Sequence, residues 1–287
     1  MIVDFQRQYP DKSLIFEDSL LHSPTAIFAA MGKIYTTEIT SEEIPSDNPI
    51  HQRLYKAYVV AADYVQGDVL EVGCGEGRGV EVLTKGATTF TAVDKIAPVV
   101  ERLQQQHPSA KFIAMNIPPL ALPDNTYDVV ASFQVIEHIN DDALFLKEIH
   151  RVLKPGGIAL ITTPNRKRSL TRNPWHVREY LPNELDQLAR RFFRETEMKG
   201  ITGNEKVMAY VERNKKAVER ITRWDILNLQ YRLPAALLRI PYEILNRWNR
   251  NKLQSSNDEL VTSIHHSDYL LTDNATDALD LFLIARK

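Results

Sequence analysis

Between residues 69 and 79 the sequence reads VLEVGCGEGRG, with glycine at 73, 75, 77 and 79. Glycine lets the backbone take positive φ and lets a ligand approach without meeting a Cβ. A helix starting after such a bend adds free N–H groups and a positive dipole end, suited to a carboxylate or a phosphate. Asp94 follows Gly73 by 21 residues, and a carboxylate there can accept hydrogen bonds from both hydroxyls of a ribose. Bend and acid together form a nucleotide-type binding turn. The dinucleotide fingerprint G-x-G-x-x-G would put its third glycine at 78, where this chain has Arg78. A third glycine is needed where helix and strand pack closely beneath a pyrophosphate, so its absence weakens a dinucleotide reading.

A second group of reactive side chains lies further on. Glu137 and His138 sit in QVIEHI, and His176 sits in NPWHVREY. Both histidines fall after strand-like segments, where open α/β sheets place their chemistry. With Glu137 they can form a metal site, or a general base with the group that orients it. The alternative is structural: Glu137 and His138 satisfy a helix start and His176 packs a loop.

The elements that must position these groups alternate regularly. DVLEVG, FTAVD, KFIAMN, YDVVASF and IALITTPN read as five near-continuous apolar strands, the pattern of a sheet covered on both faces. Between them GRGVEVLTKG ends at Gly86, and APVVERLQQQHP has Pro98 in its first turn; both read as helices. A further helix places Phe145, Ile149, Val152 and Leu153 on one face, with Asn140 as its cap, acids at 141 and 142, and KPGG as its stop. LPNELDQLARRF and RETEMKGIT add a helix and a strand, and ALDLFLIARK a last strand with no helix after it. Strands alternating with such helices predict a three-layer, doubly wound, mostly parallel α/β sheet. The chain divides into an N-terminal cap over 1–50, a Rossmann-like core over 51–203 and 278–287, and a helical insertion or lid over 204–277.

Composition narrows the field. The 287 residues carry a formal charge of −2 and a single cysteine. No broad field of either sign points to nucleic acid, and one cysteine can make neither an internal disulfide nor a thiolate cluster. The first residues, MIVDFQRQYPDK, have no signal-like apolar core, and no uncharged apolar run reaches membrane-spanning length. A cytoplasmic location is the expectation.

The motifs resemble, in order across 69–165, those of the class I S-adenosylmethionine-dependent methyltransferases, of the type that includes ubiquinone-biosynthesis O-methyltransferases. LEVGCGEG is similar to that family's first motif, VDKI to its ribose segment, LPDNTYDVVASFQVIEHI to its fourth-strand block and EIHRVLKPGGIALITTPN to the segment through the fifth strand. The resemblance implies S-adenosyl-L-methionine as cofactor and a seven-stranded sheet closed by an antiparallel last strand, which ALDLFLIARK fits. It implies Glu71 as the acidic strand residue and Gly73, Cys74 and Gly75 beside the methionine moiety. It also implies Asp94 and Lys95 at the ribose, Asn116 at the adenine amino group, Ile117 beside the ring and Phe133 on the methionine side. Cys74 then fills a tight turn, since no base is placed to activate it as a nucleophile.

Methyl transfer from a sulfonium is an in-line displacement, and a hydroxyl acceptor must also lose a proton. His138 and His176 are the candidates for that task. The expected acceptor is a small-molecule, lipid-linked or sugar-type compound, methylated at oxygen. A nicotinamide-dependent oxidoreductase and a non-catalytic cofactor-binding protein are the alternatives. Residues 232–253, RLPAALLRIPYEILNRWNRNKL, group Leu, Ile, Tyr and Trp among four arginines. Such a stretch can cover the acceptor pocket as a lid, or lie on a membrane surface.

Overall fold

The computed structural model describes residues 44–225, 227–256 and 258–287. Residues 1–43 of the expected N-terminal cap lie outside them, and the remainder of that segment opens a helix. In chain order the main elements are α1 (Asn48–Ala61), β1 (Asp68–Val72), α2 (Val80–Gly86), β2 (Thr89–Asp94), α3 (Ala97–Gln106), β3 (Lys111–Ala114) and β4 (Tyr127–Phe133). Next come α4 (Asp142–Val152), β5 (Leu153–Pro164), α5 (Pro182–Ala189), β6 (Glu195–Gly203), α6 (Glu205–Thr222) and α7 (Leu229–Arg232). The chain continues through α8 (Ala235–Ser256), α9 (Asp258–Ser263), β7 (Tyr269–Thr272) and β8 (Asp280–Arg286).

The strands make one sheet in the order β3-β2-β1-β4-β5-β8-β6-β7. β3, β2, β1, β4 and β5 pair in parallel, and β8 runs antiparallel between β5 and β6. Among the described residues the expected seven strands are therefore eight. The additional one, β7, pairs antiparallel with the outer edge of β6, inside the stretch expected to be helical. Only four residues long, it has exposed Leu270 and Leu271 in place of a two-sided apolar run, and length and pattern both hid it.

Alternation along each strand feeds two separate cores. Val69, Val129, Leu160 and Phe282 face one side and pack with Leu83, Val99 and Leu103 of α2 and α3. Their neighbours Leu70, Val130, Ile161 and Leu281 face the other side, against Phe145, Ile149 and Leu185 of α4 and α5. Side chains this buried contribute about 1.5–3 kcal/mol each relative to exposure, so a sheet covered on both faces follows from strands apolar at every position.

Two local expectations change. Asp141, and not Asn140, caps α4, its Oδ1 accepting the Leu144 N–H at 2.9 Å. The helix ends at Val152, and the KPGG stretch already runs within β5 instead of forming a separate stop.

α8 is fastened to the start of α1 by charge. Asp47, fully buried, accepts from Arg247 Nη1 at 2.7 Å and from Arg250 Nη1 at 3.1 Å. Removing one partner of a buried ion pair strands the other charge, at a cost of about 3–5 kcal/mol. Asp47→Ala is therefore expected to lower stability by about that amount, read as a shift in urea midpoint, with amide protection lost first in α8.

Candidate functional site

The bend after β1 forms because the chain must leave the sheet between two buried strands and turn at once into α2. Gly73, Gly75 and Gly77 all have positive φ, at 81°, 48° and 85°, a region costly for any residue with a Cβ. A Cβ on Gly73 would strike the Val135 side chain, whereas one on Gly75 would meet nothing within 4 Å. The first glycine is thus required by packing against the loop after β4, and the second faces open space. The Gly73 N–H donates to Val93 O at 2.8 Å and the Gly75 N–H to Asp94 Oδ2 at 2.9 Å. Asp94 Oδ1 accepts the Ile96 N–H at 3.0 Å. One carboxylate at the end of β2 therefore holds both the glycine bend and the start of α3, and each oxygen keeps a lone pair for a further donor.

Glu71 lies beneath the bend, almost fully buried. Its Oε1 accepts from the Tyr58 hydroxyl at 2.8 Å, and its Oε2 has no hydrogen-bond partner among the described residues. Burial pushes its carboxyl up to about 7; Asp94 adds to the rise, and the Tyr58 hydrogen bond and the Arg78 charge oppose it. Tyr58 also stands over Gly79, where any Cβ would run into its ring, and meets Phe133 edge-on at 4.8 Å. Nothing in the local sequence marks Tyr58 for this, since an aromatic residue on an amphipathic helix reads only as a core position.

The remaining expected cofactor residues sit as follows. Cys74 turns its thiol into the core, where burial first, then the nearby Glu71 and Asp94, push it well above the ordinary thiol range. It has no nucleophilic character there. Phe133 ends β4 and is buried against Tyr58 and Phe282. Asn116 is exposed and Ile117 half-buried just past β3, whose Ala114 registers with Asp94. Lys95 is exposed, so any contact it makes comes from the open side.

The second cluster closes over the carboxyl ends of β4 and β5. Glu137 is buried, and its Oε2 accepts from Thr163 Oγ1 at 2.9 Å. Burial raises its carboxyl, opposed by His138, His176 and the Thr163 hydroxyl. The Glu137 carbonyl accepts the N–H groups of Val177 and Arg178 at 2.8 and 3.2 Å, which brings the His176 loop onto the His138 turn. The two imidazole rings meet edge-on with centroids 5.0 Å apart. His138 Nδ1 lies 3.1 Å from Trp175 O; a carbonyl only accepts, so this nitrogen carries a proton. His176 Nδ1 lies 2.6 Å from Glu179 Oε1, and Asn173 Nδ2 lies 2.9 Å from Nε2. Glu179, three residues on in HVREY, is the orienting acid that residue spacing could have pointed to.

One ligand atom from each of Glu137, His138 and His176 can be chosen so that all three lie within 4.8 Å of one another. The set therefore suits either a divalent cation or a base with its orienter.

Comparison with known proteins agrees with the glycine bend. A family model described as a methyltransferase domain matches residues 70–161. A protein of Mycolicibacterium smegmatis, named as a probable S-adenosylmethionine-dependent methyltransferase, is 41% identical over 126 residues, 42% of this chain and 49% of that one. Another from Mycobacterium ulcerans, named as a probable phthiotriol/phenolphthiotriol dimycocerosates methyltransferase, is 33% identical over 129 residues, 40% and 50% of the two chains. This chain thus spans about half the length of these relatives. Among solved structures, a SAM-dependent methyltransferase from Thermotoga maritima superposes with a TM-score of 0.54 at 15% identity, over 83% of this chain and 91% of that one. That likeness concerns the fold.

The Glu71 carboxyl gives a pH signature. Its folded value, about 7, lies above the ordinary 4.5. Between those values the unfolded chain releases the proton while the folded chain keeps it. Stability therefore falls as pH rises through this window, by about 3 kcal/mol at 1.36 kcal/mol per unit, and levels off above it. Glu71→Gln is expected to lack that slope. Urea unfolding of both proteins from pH 4.5 to 8 checks it, and equal slopes would count against the assignment.

Proposed function

We propose that this chain, which belongs to the class I S-adenosylmethionine-dependent methyltransferases, methylates a hydroxyl oxygen of a small-molecule, lipid-linked or sugar-type acceptor. The observation that carries this reading is the pairing of two buried carboxylates at the glycine bend. Asp94 braces the bend with lone pairs to spare, and Glu71, buried beneath it, keeps an Oε2 without a hydrogen-bond partner among the described residues. A ligand offering ribose hydroxyls and a cationic amine fits that donor-poor, anionic cradle, and the open space at Gly75 leaves room for it.

When bound, the cofactor supplies an electrophilic methyl group on a positively charged sulfur. Asp94 would accept from the ribose hydroxyls, and Glu71, which a nearby cation would help to ionise, from the amine. Asn116 and Ile117 would meet the base and Phe133 the methionine side. The hydroxyl of the acceptor must lose its proton as its oxygen takes the methyl group. In this reading that proton passes to Nε2 of His138. Glu179 and Asn173, holding Nδ1 and Nε2 of His176, fix the ring that meets His138 edge-on. A lipid-linked acceptor draws support from the relative named for a dimycocerosate.

Calorimetry with S-adenosylhomocysteine is expected to give micromolar binding, and NADH none; the reverse would move the chain to the oxidoreductases. With a working acceptor, His138→Ala or His176→Ala should lower kcat by at least about 100-fold while cofactor affinity holds. Losses of only a few-fold in both variants would rule out the base.

A further inference from the structure

The segment from α6 to α8 differs in charge from the rest of the molecule. Residues 205–256 hold eleven Lys and Arg against five Asp and Glu, in a chain whose formal charge is −2. The excess is therefore six positive charges, set on a remainder that carries −8. Some of it is internal: Arg247 and Arg250 are paired with Asp47, and Arg239 stacks at 4.1 Å on Trp175. On the surface Glu212 and Glu219 face Lys216 and Lys215 at 3.5 and 3.9 Å, exposed pairs of small energy. Asp225 caps α7 through the N–H groups of Leu229 and Gln230, and Glu243 accepts from Trp175 Nε1. What faces outward is basic.

The basic residues follow helical spacing. Arg213, Lys216, Arg220 and Arg223 recur every three or four residues along and just past α6, and they line a groove of about 590 Å³ against α8. Trp224 and Trp248 line it as well, with Lys252 placed 4.8 Å over the Trp248 ring. Beside the groove, Leu237, Ile240, Ile244 and Trp248 form one stripe along α8. All four are exposed, Ile240 at 59% and Ile244 at 58%, and Trp224 stands 74% exposed next to them. The inner face of α8 is occupied by Asn249, Arg250 and Leu253. The outer stripe is therefore not the side that packs onto the core, so it is not turned inward as the face of a closed lid would be.

We infer that the outer face of α6 and α8 docks onto an anionic lipid surface, with the tryptophans and the aliphatic stripe entering the headgroup boundary and the basic row on the phosphates. A row of cations beside exposed Leu, Ile and Trp on one amphipathic face is what an interfacial helix requires. A polyanion such as RNA would use the charges but would leave the aliphatic stripe in water, and so fits less of the surface. The face is joined to the candidate chemistry. Arg172 donates to the carbonyls of Gln230 and Leu233, and Trp175, next to His176, is held by Glu243 and Arg239. Docking would bring the His138–His176 cluster near the membrane plane, where a lipid-linked acceptor resides. For that consequence alone the inference rests on the proposed function.

Flotation with phosphatidylglycerol-containing vesicles tests it, alongside phosphatidylcholine vesicles, at low and high salt. Capture by the anionic vesicles is expected to be at least tenfold stronger, to weaken with salt and to blue-shift tryptophan emission. Ile240→Glu/Ile244→Glu and Lys216→Glu/Arg220→Glu should each reduce capture at least tenfold, with S-adenosylhomocysteine affinity unchanged as the check on folding. No capture by anionic vesicles would overturn the inference. So would capture indifferent to the isoleucine changes with equal binding of an RNA oligonucleotide, or a dimer that those changes dissolve in place of vesicle binding. Failed flotation with cofactor affinity intact rejects the docking and leaves methyl transfer standing; lost cofactor affinity in the unaltered chain does the opposite.

Discussion

A single carboxylate, that of Asp94, holds the end of β2 to the bend after β1 and to the start of α3. The bend cannot hold its positive-φ geometry by side-chain packing, because glycines have none, and so it depends on backbone hydrogen bonds. Two come from the neighbouring strand, through Val93 O, and one from Asp94. The same groups that shape the cradle are thus those that would contact a ligand in it. This economy has an electrostatic cost. Burial pushes the Glu71 carboxyl up to about 7, and the charge of Asp94 adds to the rise. A site strained in this way by like charge is relieved by binding a cation.

Much of this was legible in the residues because the constraints are local. VLEVG had to be a two-sided buried strand, and the glycines after it had to be a bend. The acid closing FTAVD had to emerge at the carboxyl edge beside that bend, since neighbouring parallel strands end together. His138 and His176 likewise follow strands that the topology makes adjacent, β4 and β5. Their meeting at 5.0 Å follows from strand order once the sheet is known.

Other features were hidden because they depend on contacts distant in sequence. Tyr58 joins the site through an aromatic ring standing where Gly79 has no side chain, and through a hydroxyl on Glu71; no spacing rule relates position 58 to 71 and 79. β7 owes its existence to a free edge of β6 more than to its own four residues. The α4 cap moved by one residue because Asn140 and Asp141 are both good caps, and only the backbone entry decides between them. The charge asymmetry of the insertion is invisible in a net charge of −2, which averages two opposed regions.

The Val135 side chain occupies the space that a Cβ on Gly73 would need. Two residues further along the same short turn come Glu137 and then His138. The glycine bend and the His138–His176 pair are therefore joined by one short turn and not only through the sheet. A side chain added at position 73 would displace Val135 and so press on the backbone that carries Glu137 and His138.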